Sequence, residues 1–297
     1  MQPPTPQLEG RVVVVTGGAR GMGRAFVRGA LAAGARAVAT DKSWAGVDDF
    51  RAELAGNDRA LVLDMDVTSD AQVDDVFDQT IAKFGTTDVL INNAALLNMF
   101  LFPPTGRLTT LETTPEDWRR ALEVNVIGPL RVSRRFAQPM IEKRRGSIIN
   151  IVSSGVLNFS RGGGYHALRP ESLEMPYMAC KAALANMSFY MGAELRAHNV
   201  AVNTIIPGHT RGSWFDDTVR SRIAVGMQPG RRPVRPEHMV PLALFLGSQD
   251  ASGVTGTMFD VMVWNEEHGV GGYDKWFERA LPDDLERAFA EAEAAAR

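Results

Sequence analysis

Residues Val12–Gly23 read VVVVTGGARGMG and give the first indication of the fold. Its first part is a run of valines without polar alternation, which is typical of a strand buried on both faces of a parallel sheet. Its second part is rich in glycine, which allows a tight turn and a close approach of the backbone to a ligand. A helix is predicted next, over residues 23–33, and Gly34 ends it. This order favours a dinucleotide site, with the pyrophosphate at the helix N-terminus, over an ordinary strand-to-helix turn.

Strand and helix patterns alternate along the rest of the chain. Thr114 precedes a proline and is the expected N-cap of the longest helix. We predict strands at 35–40, 59–66, 88–92, 147–152, 200–206 and 257–263, and helices at 47–54, 71–84, 115–140, 176–198 and 236–246. Repeated β-α units of this kind imply a parallel sheet with helices on both faces. The expected fold class is therefore α/β, a Rossmann-like doubly wound parallel sheet of about seven strands.

Three segments fall outside this alternation. They are a long apolar loop at 96–113, a glycine-containing insertion at 155–175 and a tail at 265–297 that ends in an Ala/Glu-rich helix. No linker divides the chain, so we expect one NAD(P)-binding domain over residues 1–297. The insertion enters near the expected active site, where it would act as a lid or a specificity wall; a passive surface loop is the alternative.

Composition and charge exclude several classes of function. The chain has 297 residues, 45 % of them apolar. Its formal net charge of −3 does not favour binding to nucleic acid or to an anionic membrane. The single cysteine, Cys180, and five scattered histidines favour neither a disulfide framework nor a metal site. The start of the sequence lacks the pattern of a signal peptide, and no stretch approaches the ~20 apolar residues of a membrane span. We therefore expect a cytoplasmic protein.

Asp41 at the end of the second predicted strand bears on the choice of cofactor. A carboxylate there can accept hydrogen bonds from both ribose hydroxyls of the adenosine and would repel the 2′-phosphate of NADP. Arg20 in the glycine-rich turn and Lys42 beside Asp41 could instead hold a phosphate. Because a phosphate would have to overcome the charge of Asp41, we predict NAD, with NADP as the alternative.

Several motifs in this order resemble the short-chain dehydrogenase/reductase family over residues 8–263. They are Thr16-Gly-x-x-x-Gly21-x-Gly23, Asp66-Val67, Asn92-Asn93-Ala94-Ala95, Asn125, Ser153, Tyr177-x-x-x-Lys181 and Pro207-Gly208. Ala95 replaces the glycine that usually ends the family's Asn-Asn-Ala-Gly motif. The resemblance implies an oxidoreductase acting on CH-OH groups, which interconverts a secondary alcohol and a ketone. An NADPH-dependent ketoreductase and a catalytically idle cofactor-binding regulator are the alternatives.

The same resemblance implies roles for individual residues. Tyr177 would be the acid/base, Lys181 would favour its phenolate, Ser153 would hold the substrate oxygen and Asn125 would hold a water. Tyr177 and Lys181 are one helical turn apart, so they share a face. The expected cofactor-binding residues are Gly17, Arg20, Gly21, Met22, Gly23, Asp41, Asp66, Val67, Asn93, Ala94, Ala95, Tyr177, Lys181, Pro207, Gly208 and Thr210.

Two departures from the family pattern affect these assignments. The interval from Ser153 to Tyr177 is longer than usual, and Tyr165 lies nearer the usual distance. Four residues after Tyr165 stands Arg169 rather than lysine, so we choose Tyr177. Ser154 is a rival to Ser153, but the alignment of the preceding strand favours Ser153. The second departure is the segment 261–266, which replaces the family's usual glycine-rich finish.

Apolar residues in two loops point to the kind of substrate. They are Leu96, Leu97, Met99, Phe100, Leu101 and Phe102 after the fourth predicted strand, and Trp214 and Phe215 after the sixth. If they line the pocket, the substrate is a lipophilic alcohol or ketone; ordinary packing or a subunit contact is equally consistent. Arg161, His166 and Arg169 could bind an anionic group, although a solvated loop is favoured. Related proteins pair the helices at 115–140 and 176–198 between subunits, so the resemblance implies a homotetramer or homodimer.

Overall fold

The valine run at the start of the chain forms the first strand of a seven-stranded parallel sheet. The computed structural model describes residues 8–157 and 175–295. Within them the strands are β1 (Val12–Thr16), β2 (Arg36–Asp41), β3 (Ala60–Asp64), β4 (Val89–Asn92), β5 (Gly146–Ile151), β6 (Val200–Ile206) and β7 (Met258–Asp260). Their order across the sheet is β3-β2-β1-β4-β5-β6-β7. The order reverses between β1 and β4, and sheets of this type bind ligands at the carboxyl ends of strands beside such a point.

Helices cover both faces of the sheet, so the predicted fold class is confirmed. They are α1 (Gly21–Ala32), α2 (Asp48–Leu54), α3 (Asp70–Phe84), α4 (Asn98–Leu101), α5 (Pro115–Leu122), α6 (Gly128–Phe136), α7 (Gln138–Glu142), α8 (Tyr177–Leu195), α9 (Phe215–Ala224), α10 (Val240–Ser248), α11 (Val261–Glu267), α12 (Tyr273–Trp276) and α13 (Asp283–Ala295). Within the two described ranges, no helix combines the length and the apolar character needed to cross a membrane.

The alternation of side chains along β1 explains why its sequence is uniformly apolar. Val13 and Val15 enter a core on one face, where they pack with Phe26 of α1 and other apolar residues. Val12 and Val14 enter a second core on the opposite face. All four valines are at most 1 % exposed. A polar residue at any of these positions would be buried, so the strand has no polar face.

The long helix predicted at 115–140 is present, but a π-helical turn interrupts its α-helical pattern. Thr114 does cap α5, and its hydroxyl accepts a hydrogen bond from the backbone N–H of Asp117. The helix then widens into a π-helical turn at Glu123–Ile127 before α6 begins. A π turn inserts an extra residue into a helix, and such turns are common at functional sites. Here the inserted turn contains Asn125.

The seventh strand is shorter than predicted. It ends at Asp260, whose carboxylate accepts hydrogen bonds from the backbone N–H groups of Met262 and Val263 and so caps α11. Val261, Met262 and Trp264 are buried in the core as parts of a helix. The strand pattern at 257–263 was ambiguous because a short apolar run fits a buried strand or a buried helix equally well.

Two further segments differ from the expectations. The predicted loop at 96–113 contains the short helix α4, and an unpredicted helix, α9, follows β6. The predicted C-terminal helix is confirmed as α13. It contributes Leu285 and Phe289 to a small cluster with Phe215 of α9.

Candidate functional site

A cleft of about 1660 Å³ lies at the carboxyl ends of the parallel strands. Its walls come from the segments that follow β1 to β6, among them Gly17, Asp41, Asp66, Asn93 and Ser153. Every predicted site residue lines this cleft except Gly23 and Asn125. The fold therefore brings together residues that are far apart in the sequence, as the sequence motifs required.

The glycine-rich turn after β1 needs its glycines for steric reasons. Gly17 has a φ of +66°, and a Cβ on it would lie 2.9 Å from the Cα of Ala94. A Cβ on Gly23 would overlap the carbonyl oxygen of Gly17. Gly23 thus permits α1 to begin directly against the turn, which explains its role although it does not line the cleft.

Thr16 and Asn93 join this turn to the segment after β4. The Thr16 hydroxyl accepts hydrogen bonds from the backbone N–H groups of Asn93 and Ala94, each at 3.0 Å. The Asn93 amide nitrogen donates to the carbonyl oxygens of Thr16 and Gly17, each at 3.0 Å. Sequence reasoning treated Thr16 only as the start of a motif. In the structure, Thr16 fixes the spacing between the loop after β1 and the loop after β4, where the strand order reverses.

Asp41 is held at the end of β2 with both carboxylate oxygens directed at backbone donors. One oxygen accepts from the N–H of Ala19 at 3.1 Å, and the other accepts from the N–H of Ser43 at 3.1 Å. A carboxylate has about four acceptor positions, so each oxygen keeps capacity for a further donor. Asp41 lines the cleft and could therefore accept from ligand hydroxyls.

The two cations beside Asp41 have protein partners. Arg20 donates through Nη1 to the carbonyl oxygen of Ser43 at 2.9 Å and through Nη2 to that of Ala45. The Lys42 ammonium lies 2.6 Å from a carboxylate oxygen of Asp66. Partial burial acts to raise the pKa of Asp66, but hydrogen bonds from Lys42 and Thr68 outweigh it and hold that pKa below its ordinary value. Both cations therefore have protein partners, although the Lys42 side chain remains 76 % exposed.

Tyr177 and Lys181 lie on the first turns of α8. The Lys181 ammonium nitrogen is 5.6 Å from the centre of the Tyr177 ring, and both residues line the cleft. Lys181 is only 2 % exposed, and its ammonium donates a 2.8 Å hydrogen bond to the carbonyl oxygen of Ile151 at the end of β5. Burial lowers the pKa of Lys181 to about 8. A buried lysine therefore lies beside the ring of Tyr177.

Ser153 follows β5 in an extended conformation and precedes a 3₁₀ turn at Ser154–Val156. The sequence placed Ser153 at the end of the strand, but the strand ends two residues earlier, at Ile151. Ser153 and its rival Ser154 both line the cleft, so lining alone does not separate them. The segment 158–174, which includes Arg161, Tyr165, His166 and Arg169, lies outside the described residues.

Asn125 sits in the π turn and is fully buried. Its side-chain oxygen accepts from the N–H of Leu96 at 3.1 Å, and its amide nitrogen donates to the carbonyl oxygens of Leu96 and Ala121 at 3.0 and 2.9 Å. The side chain therefore binds the backbone on which the apolar loop after β4 begins. This contact positions the loop beside the cleft.

Asn98 was missed by sequence reasoning. It is 5 % exposed, and its amide nitrogen donates to the carbonyl oxygen of Met175 at 3.1 Å. Its oxygen accepts from the backbone N–H of Tyr177 at 3.4 Å. Asn98 thus joins α4 to the start of α8 and helps to fix where Tyr177 enters the cleft. The available signal was a single polar residue inside an otherwise apolar run, LLNMFLF, at 96–102.

His238 was also missed, and it supports the loop after β6. Its Nε2 accepts a hydrogen bond from the backbone N–H of Gly208 at 3.1 Å. Nδ1 then carries the ring proton and donates to the carbonyl oxygen of Arg235 at 2.7 Å. Burial lowers the pKa of His238 to about 4, so the ring is neutral at physiological pH. His238 therefore fixes the Pro207-Gly208 motif through one hydrogen bond to its backbone.

The cleft is lined in part by apolar side chains and in part by charged ones such as Arg107, Arg119 and Arg222. Leu96, Leu97, Met99 and Phe100 line it as expected, whereas Leu101 and Phe102 do not. Trp214 and Phe215 of the segment after β6 also line it. Further apolar contributions come from Leu157, Met178, Met227 and Tyr273.

Known proteins are similar to this chain over most of its length. The sequence model of the short chain dehydrogenase family matches residues 11–222. Fluoren-9-ol dehydrogenase of Terrabacter sp. (strain DBF63) is 50 % identical over 97 % of this chain and 81 % of that protein. L-fucose dehydrogenase of Mus musculus is 32 % identical over 81 % of this chain and 83 % of that protein.

The fold is shared with solved structures at lower sequence identity. The crystal structure of gox2181 superposes with a TM-score of 0.68 at 22 % identity, over 86 % of this chain and 95 % of that chain. At this identity the likeness concerns the fold alone. The sequence match and the ordered motifs carry the assignment: this chain belongs to the short chain dehydrogenase family and is an oxidoreductase acting on CH-OH groups.

Proposed function

We propose that this protein is an NAD(H)-dependent dehydrogenase that interconverts a lipophilic secondary alcohol and its ketone. The observation that carries the proposal is the pair Tyr177 and Lys181 in a cleft that is also lined by apolar side chains. The 50 % identity to a fluoren-9-ol dehydrogenase adds a substrate to test, since fluoren-9-ol is a flat aromatic secondary alcohol.

The residues of the cleft suit a nicotinamide dinucleotide. Gly17 leaves no room for a side chain between the turn and Ala94, and the N-terminus of α1 provides unpaired N–H groups for a pyrophosphate. Asp41 retains acceptor positions for ribose hydroxyls. When bound, the dinucleotide supplies the hydride acceptor or donor of the reaction.

The contacts around Asp41 favour NAD over NADP. A 2′-phosphate would approach a carboxylate, and the cations that could offset this repulsion already hold other groups. Arg20 donates to two carbonyl oxygens, and Lys42 pairs with Asp66. Redirecting either cation towards a phosphate would cost these contacts. This supports an adenosine ribose with free hydroxyls as the ligand of Asp41.

The proposed roles of the side chains follow from their positions. Tyr177 takes the hydroxyl proton of the alcohol while the carbon loses its hydride. The buried Lys181 ammonium favours the phenolate form of its neighbour, because an adjacent opposite charge stabilises the ionised group. Ser153 donates a hydrogen bond to the substrate oxygen. Asn125 acts as a positioning residue, since it holds the backbone of Leu96 at the edge of the cleft.

The apolar wall gives the proposed substrate its lipophilic character. Each ring or alkyl group buried against Phe100, Trp214 and Phe215 would gain the free energy of leaving water, roughly 25 cal/mol per Å² of apolar surface. A polyol buried against these same apolar side chains would lose hydrogen bonds to water there.

A cofactor-reduction assay tests the proposal. The purified protein is mixed with NAD⁺ or NADP⁺ and with fluoren-9-ol, L-fucose or meso-2,3-butanediol. We expect the highest kcat/KM with fluoren-9-ol and NAD⁺. Efficient oxidation of the sugar or the diol in preference to fluoren-9-ol would contradict a lipophilic substrate, and a preference for NADP⁺ would contradict the interpretation of Asp41.

We further propose that the protein works as a homo-oligomer. The helices that the family resemblance associates with subunit pairing expose large apolar side chains. These are Leu122 at 38 %, Ile127 at 39 %, Phe189 at 37 % and Tyr190 at 67 % exposure. Light scattering at micromolar concentration tests this, and a monomer would contradict it.

A further inference from the structure

The C-terminal helix α13 packs on the segment that covers the cleft. We call residues 209–235 the cover. Phe215 and Val219 of the cover form a small apolar cluster with Leu285 and Phe289 of α13. All four side chains are at most 3 % exposed. The cluster is separate from the two cores that flank the sheet, so these residues bury one another rather than joining the main fold.

Phe289 lies directly behind the wall of the cleft. Its ring stacks on that of Phe215, with the ring centres 6.2 Å apart and the planes inclined by 17°. Phe215 lines the cleft, and so does Trp214, whose ring is 5.9 Å from Phe215. Phe289 itself is fully buried and is outside the cleft lining. It can therefore influence a ligand only through the residues in front of it, among them Phe215, Trp214 and Val219.

Ion pairs join the same two elements. Arg232 of the cover donates to both carboxylate oxygens of Glu286 at 2.7 and 2.8 Å and to Glu293 at 3.0 Å. Its side chain is only 14 % exposed. The hydrogen bond to Glu286 raises the pKa of Arg232 above its ordinary value. Bidentate, partly buried arginine–carboxylate pairs of this kind are among the stronger ion pairs in proteins.

The backbone of the tail also pairs with the cover. The N–H of Val234 donates to the carbonyl oxygen of His209 at 2.8 Å, which joins the two ends of the cover. The N–H of Glu278 in the tail donates to the carbonyl oxygen of Pro233 at 2.9 Å. Val234 and Phe277 form an antiparallel bridge. The tail thus adds a strand-like segment beside the ends of the cover, while α13 packs against its middle.

We propose that α13 is a specificity-determining element, which fixes the apolar wall of the substrate site through Phe289 and Arg232. The proposal rests on the proposed function, because it concerns the substrate of that same site. Residues that touch no substrate then decide how well a lipophilic alcohol is held. Gly17 and Asp41, at the dinucleotide end of the cleft, lie outside the cluster that α13 joins, so we expect cofactor binding to depend little on α13.

Three full-length variants test this proposal. Phe289→Ala removes the ring behind Phe215, and the double variant Glu286→Gln/Glu293→Gln removes the charges that hold Arg232. Glu291→Gln is the matched control, since Glu291 is an exposed carboxylate on the same helix. For each, kcat and KM are measured with fluoren-9-ol, Kd is measured for NADH, and the rate of tryptic cleavage within the cover is followed.

We expect the first two variants to raise KM for fluoren-9-ol by about tenfold, because a small displacement of a wall is costly to binding geometry. Tryptic cleavage after Arg220, Arg222 and Arg231 should accelerate, while Kd for NADH stays as in the wild type. The Glu291→Gln variant should match the wild type in every measurement. If Phe289→Ala does not fold, the double variant decides the question.

Two results would overturn the proposal. Unchanged KM and unchanged cleavage would make α13 a passive addition, and a parallel loss of NADH binding would make it a general stabiliser of the fold. Failure of the wild type to oxidise fluoren-9-ol would instead refute the proposed substrate. In that case the rate of cleavage within the cover, together with Kd for NADH, still tests α13: faster cleavage with intact NADH binding supports its role, and unchanged cleavage refutes it.

Discussion

The Lys181 ammonium lies 5.6 Å from the centre of the Tyr177 ring, one helical turn along the same face of α8. The lysine side chain is fixed from the other side by its hydrogen bond to the carbonyl oxygen of Ile151. The distance between the two residues is therefore set both by the helix and by the end of β5. In the proposed mechanism, a lysine ammonium held in this way would stabilise the Tyr177 phenolate without moving.

Tyr177→Phe should remove most of the catalytic activity. The change deletes the proton-accepting oxygen and keeps the ring, so kcat should fall by about 10²–10⁴-fold, the usual contribution of general acid–base catalysis. Binding of NADH and the melting temperature should stay close to those of the wild type. Steady-state kinetics and a fluorescence titration with NADH measure these effects.

Two controls accompany this variant. Tyr190→Phe alters an exposed tyrosine on the same helix and should be silent in kcat. Tyr165→Phe alters the rival tyrosine of the insertion and should have a mild effect. Full activity in Tyr177→Phe would show that the acid/base is another residue.

Lys181→Arg should not preserve activity, although it keeps the positive charge. The side chain is 2 % exposed and its ammonium occupies a site bounded by Ile151 and Tyr177. A planar guanidinium is larger and has a different donor geometry, so it cannot occupy that site without displacing its neighbours. We expect a loss of kcat of at least about 10²-fold. Lys143→Arg makes the same exchange at a lysine outside the cleft lining, so this control should keep the wild-type rate. A near wild-type rate for Lys181→Arg would contradict the geometric argument.

Asp41→Asn should narrow the preference for NAD over NADP. The amide keeps an oxygen that can accept a backbone hydrogen bond but loses the charge that repels a phosphate. We expect the ratio of kcat/KM values to shift by about tenfold towards NADP, which corresponds to about 1.4 kcal/mol. Lys42→Ala, which breaks the pair with Asp66, should leave that ratio nearly unchanged. A wild type that already prefers NADP would show that Arg20 and Lys42 decide the choice of cofactor.

His238 should make the stability of the folded protein depend on pH in the acid range. Its pKa in the folded protein, about 4, is below its ordinary value of 6.5. The unfolded chain therefore binds the extra proton first, and stability that is fully present above pH 6.5 is lost as the pH falls towards 4. Each pKa unit is worth about 1.4 kcal/mol, so the loss amounts to about 3 kcal/mol.

His238→Gln tests this dependence, because glutamine can still accept from the N–H of Gly208 but does not titrate. Urea unfolding at pH 7, 6, 5 and 4 should show a smaller decline in the free energy of unfolding for the variant than for the wild type. Carboxylates titrate in both proteins and cancel in the comparison. Parallel declines would mean that His238 takes up its proton without opening the loop at Gly208.

Much of the fold was predictable because its signals are local. The valine run and the glycine turn that follows it required only neighbouring residues to be interpreted, and both were predicted in the right order. Strand β6 was predicted with its observed bounds, Val200–Ile206, since five of its seven residues are apolar, as is typical of a buried parallel strand. Thr114 was identified as a cap from the proline beside it.

The errors occur where a distant partner decides the local structure. The helix predicted at 115–140 is interrupted at Asn125, whose side chain binds the backbone of Leu96. The strand predicted at 257–263 ends at Asp260 because the run after it is buried as a helix against the core. Neither partner is visible in a local window of sequence.

The order of strands and helices, the glycine turn and the residues that meet at the carboxyl edge of the sheet could all be predicted from the sequence. Periodicity, propensity and ordered motifs suffice for these features because they act over a few residues or recur in the family. Three contacts became visible only in the folded chain. They are the hydrogen bonds of Asn98 at the start of α8, the hydrogen bond between His238 and Gly208, and the stacking of Phe289 on Phe215. Each of these contacts joins residues 30 or more positions apart, and a side chain's partner at such a separation is chosen by packing, not by its neighbours in the chain.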